Sequence, residues 1–317
     1  MIRRFFLMAL LAASPAAARQ AIPPVYELTA DPVPVVPVHI KKSTLTVQVS
    51  LLLNGALVLN QPAGERARLK AFPIIGKQRV KGNIFPGGSA LVRGNRYDVA
   101  VGDLPKDGVY ALWIDKTISA ETDGLIGAMD VNAARVVIVR PQAPKGGQTF
   151  TLAFKDKDDP VGEVMLGDLR VDIVFDFRSA QTMMSARTAK ALQDAGLVRR
   201  AGSVGLWGPL PGVALPFERL APAPGASVAG LPLLQPAARI SEARAKELDA
   251  QAKAGTSTPE DELDTITVSA DKKKDKRPAW LLFGADLLDR CSRVELDKPG
   301  RRWLLTCNLD GAQTAQR

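Results

Sequence analysis

The stretch Val171-Asp172-Ile173-Val174-Phe175-Asp176-Phe177-Arg178-Ser179-Ala180-Gln181-Thr182-Met183-Met184-Ser185 decides the fold. Val171 to Phe175 is rich in β-branched and aromatic residues, the composition of a strand. Asp176 ends that strand and a tight Ser/Ala segment follows. From Ser185 to Leu197, Ala186, Ala189, Leu192 and Ala195 stand at near-helical spacing, which predicts a short helix. A strand-ending Asp forms turns; it also presents a carboxylate at the end of a sheet.

Outward from this window the chain reads as mostly β. Thr44 to Leu53, Arg96 to Val101, Val109 to Ile114, Arg135 to Val139 and Thr149 to Phe154 are short runs rich in Val, Leu and Ile between Gly, Pro and Asn. Leu125-Ile126-Gly127-Ala128 before Arg135-Val136-Val137-Ile138-Val139 echoes Leu282-Phe283-Gly284-Ala285 before Arg293-Val294-Glu295-Leu296. Each echo pairs an apolar-apolar-Gly-Ala segment with a following strand, and the two divide the chain near Asp158–Asp159.

Most chemistries are excluded by composition. The only histidine is His39, in a Pro-rich stretch, so a Ser-His-acid hydrolase lacks a well-placed base. No G-x-S-x-G is present; Gly225-Ala226-Ser227 comes nearest and lacks the second glycine. Two cysteines and one histidine make no zinc cluster, and neither a Walker loop nor a G-x-G-x-x-G after a strand occurs. No metal and no cofactor is expected. What remains in quantity is carboxylate.

On these residues the chain resembles the retropepsin-like and pepsin-like aspartic peptidases, in which a strand ends in Asp-Thr-Gly-Ala. Trp280-Leu281-Leu282-Phe283-Gly284-Ala285-Asp286-Leu287-Leu288, followed by Val294-Glu295-Leu296-Asp297 and a turn, is similar to the family's closing element. Asp123-Gly124-Leu125-Ile126-Gly127 is similar to the same element closing a first lobe. The resemblance covers residues ~44 to 306 and implies a mainly β, two-lobed barrel fold with a few short helices. The first lobe would span 44–158 and the second 159–317, with a charged insertion at 240–278.

The departures bear on activity. Family catalysis uses two Asp carboxylates that share one proton. In the first lobe, Ala56-Leu57-Val58-Leu59-Asn60 places Asn60 where an Asp is expected, and an amide is no base for a lytic water. In the second, Asp176 is kept but Phe177 and Arg178 replace Thr and Gly; a guanidinium there needs space and a partner. The resemblance implies flap hairpins at Phe85-Pro86-Gly87-Gly88-Ser89 and Val204 to Gly212, with Gly87 and Gly88 in a turn and Trp207 lining a groove. Plain turns and a core tryptophan are the alternatives.

The chain opens with Arg3 and Arg4, an apolar run from Phe5 to Ala13, and Ala16-Ala17-Ala18. That order reads as a secretory signal peptide over 1–18; a buried helix or an uncleaved anchor is the alternative. Export, to the periplasm or outside the cell, is expected. No later segment is apolar enough for a transmembrane helix. Residues 19–43, with Pro23, Pro24, Pro32, Pro34 and Pro37, read as an extended arm. The charge is +9, from 42 basic and 33 acidic residues. Scattered basic residues and export argue against nucleic acid and for contact with an acidic surface: anionic lipid, cell-wall polymer or an acidic partner.

Residues 240–278 are charged and poor in aromatics. Ser241 to Lys253 could form a solvated helix, the remainder has the composition of disorder, and Lys272 to Arg277 is a basic run. Cys291 and Cys307 flank a strand-turn-strand. If Lys298-Pro299-Gly300 forms the loop, Asp297 faces Arg301 and the same register sets Cys291 opposite Cys307, within disulfide reach; two buried thiols are the alternative. The first expectation for function is an inactive relative that holds an extended peptide or protein segment in the groove by strand-like hydrogen bonding. An active aspartic endopeptidase, pairing Asp176 with another carboxylate or with a second chain, is the second. A structural envelope component is the third.

Overall fold

The computed structural model describes residues 22–82, 84–156, 158–254 and 279–310. Residues 1–21, the part of the insertion from 255 to 278 with its basic run, and 311–317 lie outside the described residues, and the stretch expected to be a signal peptide falls among these.

The chain is mainly β. Its first part forms β1 (Val25–Thr29), β2 (Val35–Ile40), β3 (Ser43–Ser50), β4 (Leu57–Asn60), helix α1 (Gln61–Arg66), β5 (Lys77–Lys81), β6 (Ser89–Val101), β7 (Asp107–Ile114), β8 (Gly124–Gly127), β9 (Arg135–Val139) and β10 (Gln148–Asp156). Six strands close into a barrel in the order β2-β3-β8-β4-β7-β6, and β6 returns to β2 through Val101 opposite Val38 and Val99 opposite Ile40. Closure leaves those strands no free edge, which removes a row of unpaired amides. β5 hangs on the outer side of β6.

Two of these strands come from the stretch read as a Pro-rich arm. Val36, Val38 and Ile40 alternate into the core while their neighbours face outward. The prolines are tolerated as acceptors: Pro34 takes the amide of Val49 and Pro37 that of Gly102.

The second part forms β11 (Asp159–Leu166), β12 (Leu169–Phe175), β13 (Thr182–Met184), α2 (Ala186–Asp194), β14 (Val198–Trp207), β15 (Leu215–Pro222), β16 (Ser227–Val228), β17 (Leu231–Pro232), β18 (Pro236–Arg239), α3 (Glu242–Lys253), β19 (Ala279–Phe283), α4 (Ala285–Leu288), β20 (Cys291–Asp297) and β21 (Arg302–Cys307). The order β11-β12-β19-β13-β18-β15-β14 repeats β2-β3-β8-β4-β7-β6-β5 strand for strand. Each neighbouring pair also keeps its sense, with β3 parallel to β8 as β12 is to β19, and β4 antiparallel to β8 as β13 is to β19.

The second copy stays open. β11 pairs with β10 instead of closing, and β10 leads through β21 and β20 to β9 and β1, giving one twelve-stranded sheet. The two echoes seen in the sequence meet in it: β9 and β20 lie antiparallel, with Arg135 opposite Asp297 and Val139 opposite Arg293. Beneath it, Phe175 stacks on Phe283 at 6.0 Å and meets Trp303 edge-on at 5.6 Å. The Trp303 indole N–H donates to Pro160 O at 2.6 Å, so its polar atom is buried with a partner.

The disulfide Cys291–Cys307 is formed, in a register one residue from the expected one. Asp297 faces Arg302, not Arg301, because the turn takes four residues; a bulge between Cys291 and Arg293 restores the cysteines to opposed positions. Helix α3 is not fully solvated, since Leu248 is 2% exposed.

Candidate functional site

The repeated strand order fixes which residues occupy equivalent places. β3 and β8 run parallel with Ser50 opposite Gly127. β12 and β19 run parallel with Phe175 opposite Phe283, and the Asp176 amide donates to Phe283 O, so Asp176 stands opposite Gly284. Ser50 therefore holds the place of Asp176.

Asn60, expected there from the sequence, holds a different place. It is the N-cap position of α1, as Ser185 is of α2. The Asn60 amide donates to Asp123 O and the Ser185 amide donates to Trp280 O, one contact in two copies. The Asn60 side chain turns away from its helix and ties down the loop before β8. Its Nδ2 donates to Ser119 O at 2.8 Å and Thr122 O at 2.9 Å, and its Oδ1 accepts from the amides of Ile118 at 2.7 Å and Ser119 at 3.3 Å. All of its hydrogen-bonding capacity is used in holding a loop. The position expected at the end of the strand after Asn54-Gly55 falls instead at the end of the strand before that turn. The alternation of Leu45, Val47 and Val49 stops at a polar residue as Val171, Ile173 and Phe175 stop at Asp176, but Leu57-Val58-Leu59 also stops at one, so the sequence alone does not choose between Ser50 and Asn60.

Asp176 is 6% exposed. Its Oδ1 accepts from the Arg178 amide at 3.0 Å and from Arg178 Nε at 3.1 Å, and its Oδ2 accepts from Arg178 Nη2 at 3.0 Å. The partner that the guanidinium needs is thus Asp176 itself, gripped by a two-pronged, charge-assisted pair. Ser50 is 2% exposed, and its Oγ accepts from the amides of Leu52 and Leu53. Each residue closes its own turn, one with a carboxylate and one with a hydroxyl.

The facing glycines bring the backbones together. A Cβ on Gly127 would stand 2.5 Å from Leu53 O, and one on Gly284 2.5 Å from Ser179 O, again equivalent contacts. Two neighbouring carboxyls are pushed up by burial. Asp130 accepts from the Ala56 amide, and Asp286 from Thr182 Oγ1 and the Gln235 amide.

The expected flap residues sit at hairpin tips. Gly87 and Gly88 adopt φ of 75° and 73° in the β5–β6 turn, the left-handed region that glycine takes without strain. This tip meets the β14–β15 tip: a Cβ on Gly212 would lie 3.5 Å from Pro86, and Phe85 and Leu210 pack into one cluster with Val58, Ile114 and Leu125. A cavity of about 410 Å³ lies beside the meeting point, lined by Phe85, Pro86, Gly212, Val213, Arg239 and Glu242 among others. Trp207 packs on Trp280, ring centres 6.0 Å apart, in a small apolar cluster with Met183, Phe217 and Leu282. It remains half-buried, so it serves the packing and keeps an open face. A larger cavity of about 1010 Å³ lies on the second copy alone, with Arg199 and Arg219 as its cations.

No protein-family model and no curated protein matches this chain. Among the described residues no group of three His, Cys, Asp or Glu side chains is placed to hold a metal ion. No described helix is long and apolar enough to cross a membrane.

Proposed function

We propose that the chain is a catalytically silent, two-lobed relative of the aspartic peptidases that holds an extended peptide or protein segment between its two strand patterns. The kinship is supported by the strand-for-strand repeat and by the equivalence of the two strand ends at Ser50 and Asp176. The silence rests on one observation: both oxygens of Asp176 are engaged by Arg178, while Ser50 stands at the matching place. A serine hydroxyl brings no second carboxyl, so the pair that shares a proton is missing from those two positions. The half-buried Trp207 and the meeting hairpin tips favour retention of a segment beneath them.

The test is peptide cleavage by the chain from residue 19 onward, which keeps every described residue, across roughly pH 3–7. A mixed-sequence peptide library is the substrate, with Asp176→Asn as control. The expected result is no cleavage, together with retention of a subset of the peptides by the immobilised protein. Cleavage abolished by Asp176→Asn would establish the endopeptidase. Neither cleavage nor retention would favour the structural envelope component.

A further inference from the structure

From Arg66 to Tyr97 the sequence contains Arg66, Arg68, Lys70, Lys77, Arg79, Lys81, Arg93 and Arg96 and not one Asp or Glu. In the fold this stretch comprises the end of α1, the Pro73-Ile74-Ile75-Gly76 turn, the edge strand β5 and the start of β6. Every residue of β5 is exposed. Lys77 stands directly opposite Arg93, a like-charge pair that destabilises a bare sheet and is relieved by an anion. Among the described residues, Arg68, Lys70, Lys77, Arg79 and Lys81 form no ion pair.

The turn within this basic surface is apolar and points outward. Ile74 is 98% exposed, Ile75 66% and Phe72 52%. Its base is fixed to β6: the Phe72 amide donates to Gly94 O, and the Gly94 amide donates to Gly76 O, both at 2.9 Å. Ile74 has φ of 68°, which a β-branched side chain adopts only under strain. A glycine or asparagine would hold that turn without strain. The chain instead projects a β-branched apolar group from it.

We propose that Phe72, Ile74 and Ile75 insert into the headgroup region of an anionic lipid membrane, with Lys70, Lys77, Arg79 and Lys81 as the collar that meets the lipid phosphates. A soluble polyanion would satisfy the collar and leave the apolar tip in water. A bilayer interface takes both, the tip by burial and the collar by the surface potential.

The test uses the chain from residue 19 onward, so that the apolar run near its start plays no part. It is sedimented with phosphatidylglycerol-containing vesicles and with phosphatidylcholine vesicles. The expected result is binding to the anionic vesicles alone, weakened by salt. Ile74→Ser with Ile75→Ser should weaken it about tenfold or more, and Lys77→Glu with Arg79→Glu should abolish it. These residues are exposed, so the variants should fold, which circular dichroism checks. Ile74→Gly separates the two roles: it should raise the melting temperature and lower vesicle binding. Absence of binding to anionic vesicles would overturn the proposal. So would binding that is unchanged when the two isoleucines are replaced, the behaviour of a surface that recognises charge alone, as dextran sulfate would then report.

Discussion

Ser50 and Asp176 end equivalent strands, and each folds its acceptor oxygen back onto the amide two residues ahead. In Asp176 the second oxygen goes to Arg178. Replacing Arg178 by Ala leaves a largely buried carboxylate with one amide and no cation. The expected loss is about 1–3 kcal/mol of unfolding free energy, read as a lower urea midpoint with an unchanged slope.

Asn60→Asp restores the residue that the sequence led one to want, at a place where the fold has no use for it. The new oxygen would face the carbonyls of Ser119 and Thr122, which now accept from Nδ2. Destabilisation of about 2–4 kcal/mol is expected, with no gain of peptide cleavage. A thermal melt and the cleavage assay check the two halves.

Gly284→Ala and Gly87→Ala should differ in mechanism. At Gly284 a methyl group meets Gln181 O and Ser179 O at about 2.4–2.5 Å, so the loop after Asp176 must move. About 1–3 kcal/mol is expected, as for other overpacked sites. Gly87 has nothing within 4 Å, and its substitution carries only the left-handed backbone penalty. Hydrogen exchange of the Arg178 and Ser179 amides should rise in the first variant and stay unchanged in the second.

Removing the bridge by Cys291→Ala with Cys307→Ala opens a loop with a sequence separation of 16. The expected loss is about 3 kcal/mol, measured by chemical denaturation. Both cysteines are 0% exposed, so the folded protein should resist a mild reductant until it is partly unfolded.

Lys298 gives a pH signature. Its ammonium donates to Met129 O and Val131 O, and burial lowers it to about 8 against the pull of Asp130 and Asp107. An unfolded lysine titrates near roughly 10.4. Between those values the unfolded chain holds the proton and the folded chain has lost it, so folding stability rises with pH across that window and the penalty is full below it. In Lys298→Met this rise should disappear. The difference between the two proteins' denaturation midpoints from about pH 8 to 10 measures it.

The β character, the α2 helix and the Gly-Ala echoes were legible because each rests on local periodicity and spacing. The disulfide was legible up to a register, since a turn of three residues and one of four look alike until the Ser292 bulge compensates. The place of Asn60 was not legible. Two strands, β3 and β4, end in polar residues within ten positions, and only the pairing of β3 with β8 decides which one corresponds to Asp176. The partner of Arg178 was also hidden, because a side chain two residues along a strand exit reaches back only when the turn is as tight as this one.

The unequal closure of the two strand patterns has a consequence for how the chain acquires its shape. Everything the barrel needs is present by Gly127, and its seam between β2 and β6 uses no later residue. The twelve-stranded sheet waits for Cys307, since β21 must enter between β20 and β10 before β20, β9 and β1 are joined to the strands of the second copy. A growing chain therefore carries a finished front end while its rear half is still an unpaired set of strand edges, and the span between those two events is when this protein is most open to aggregation.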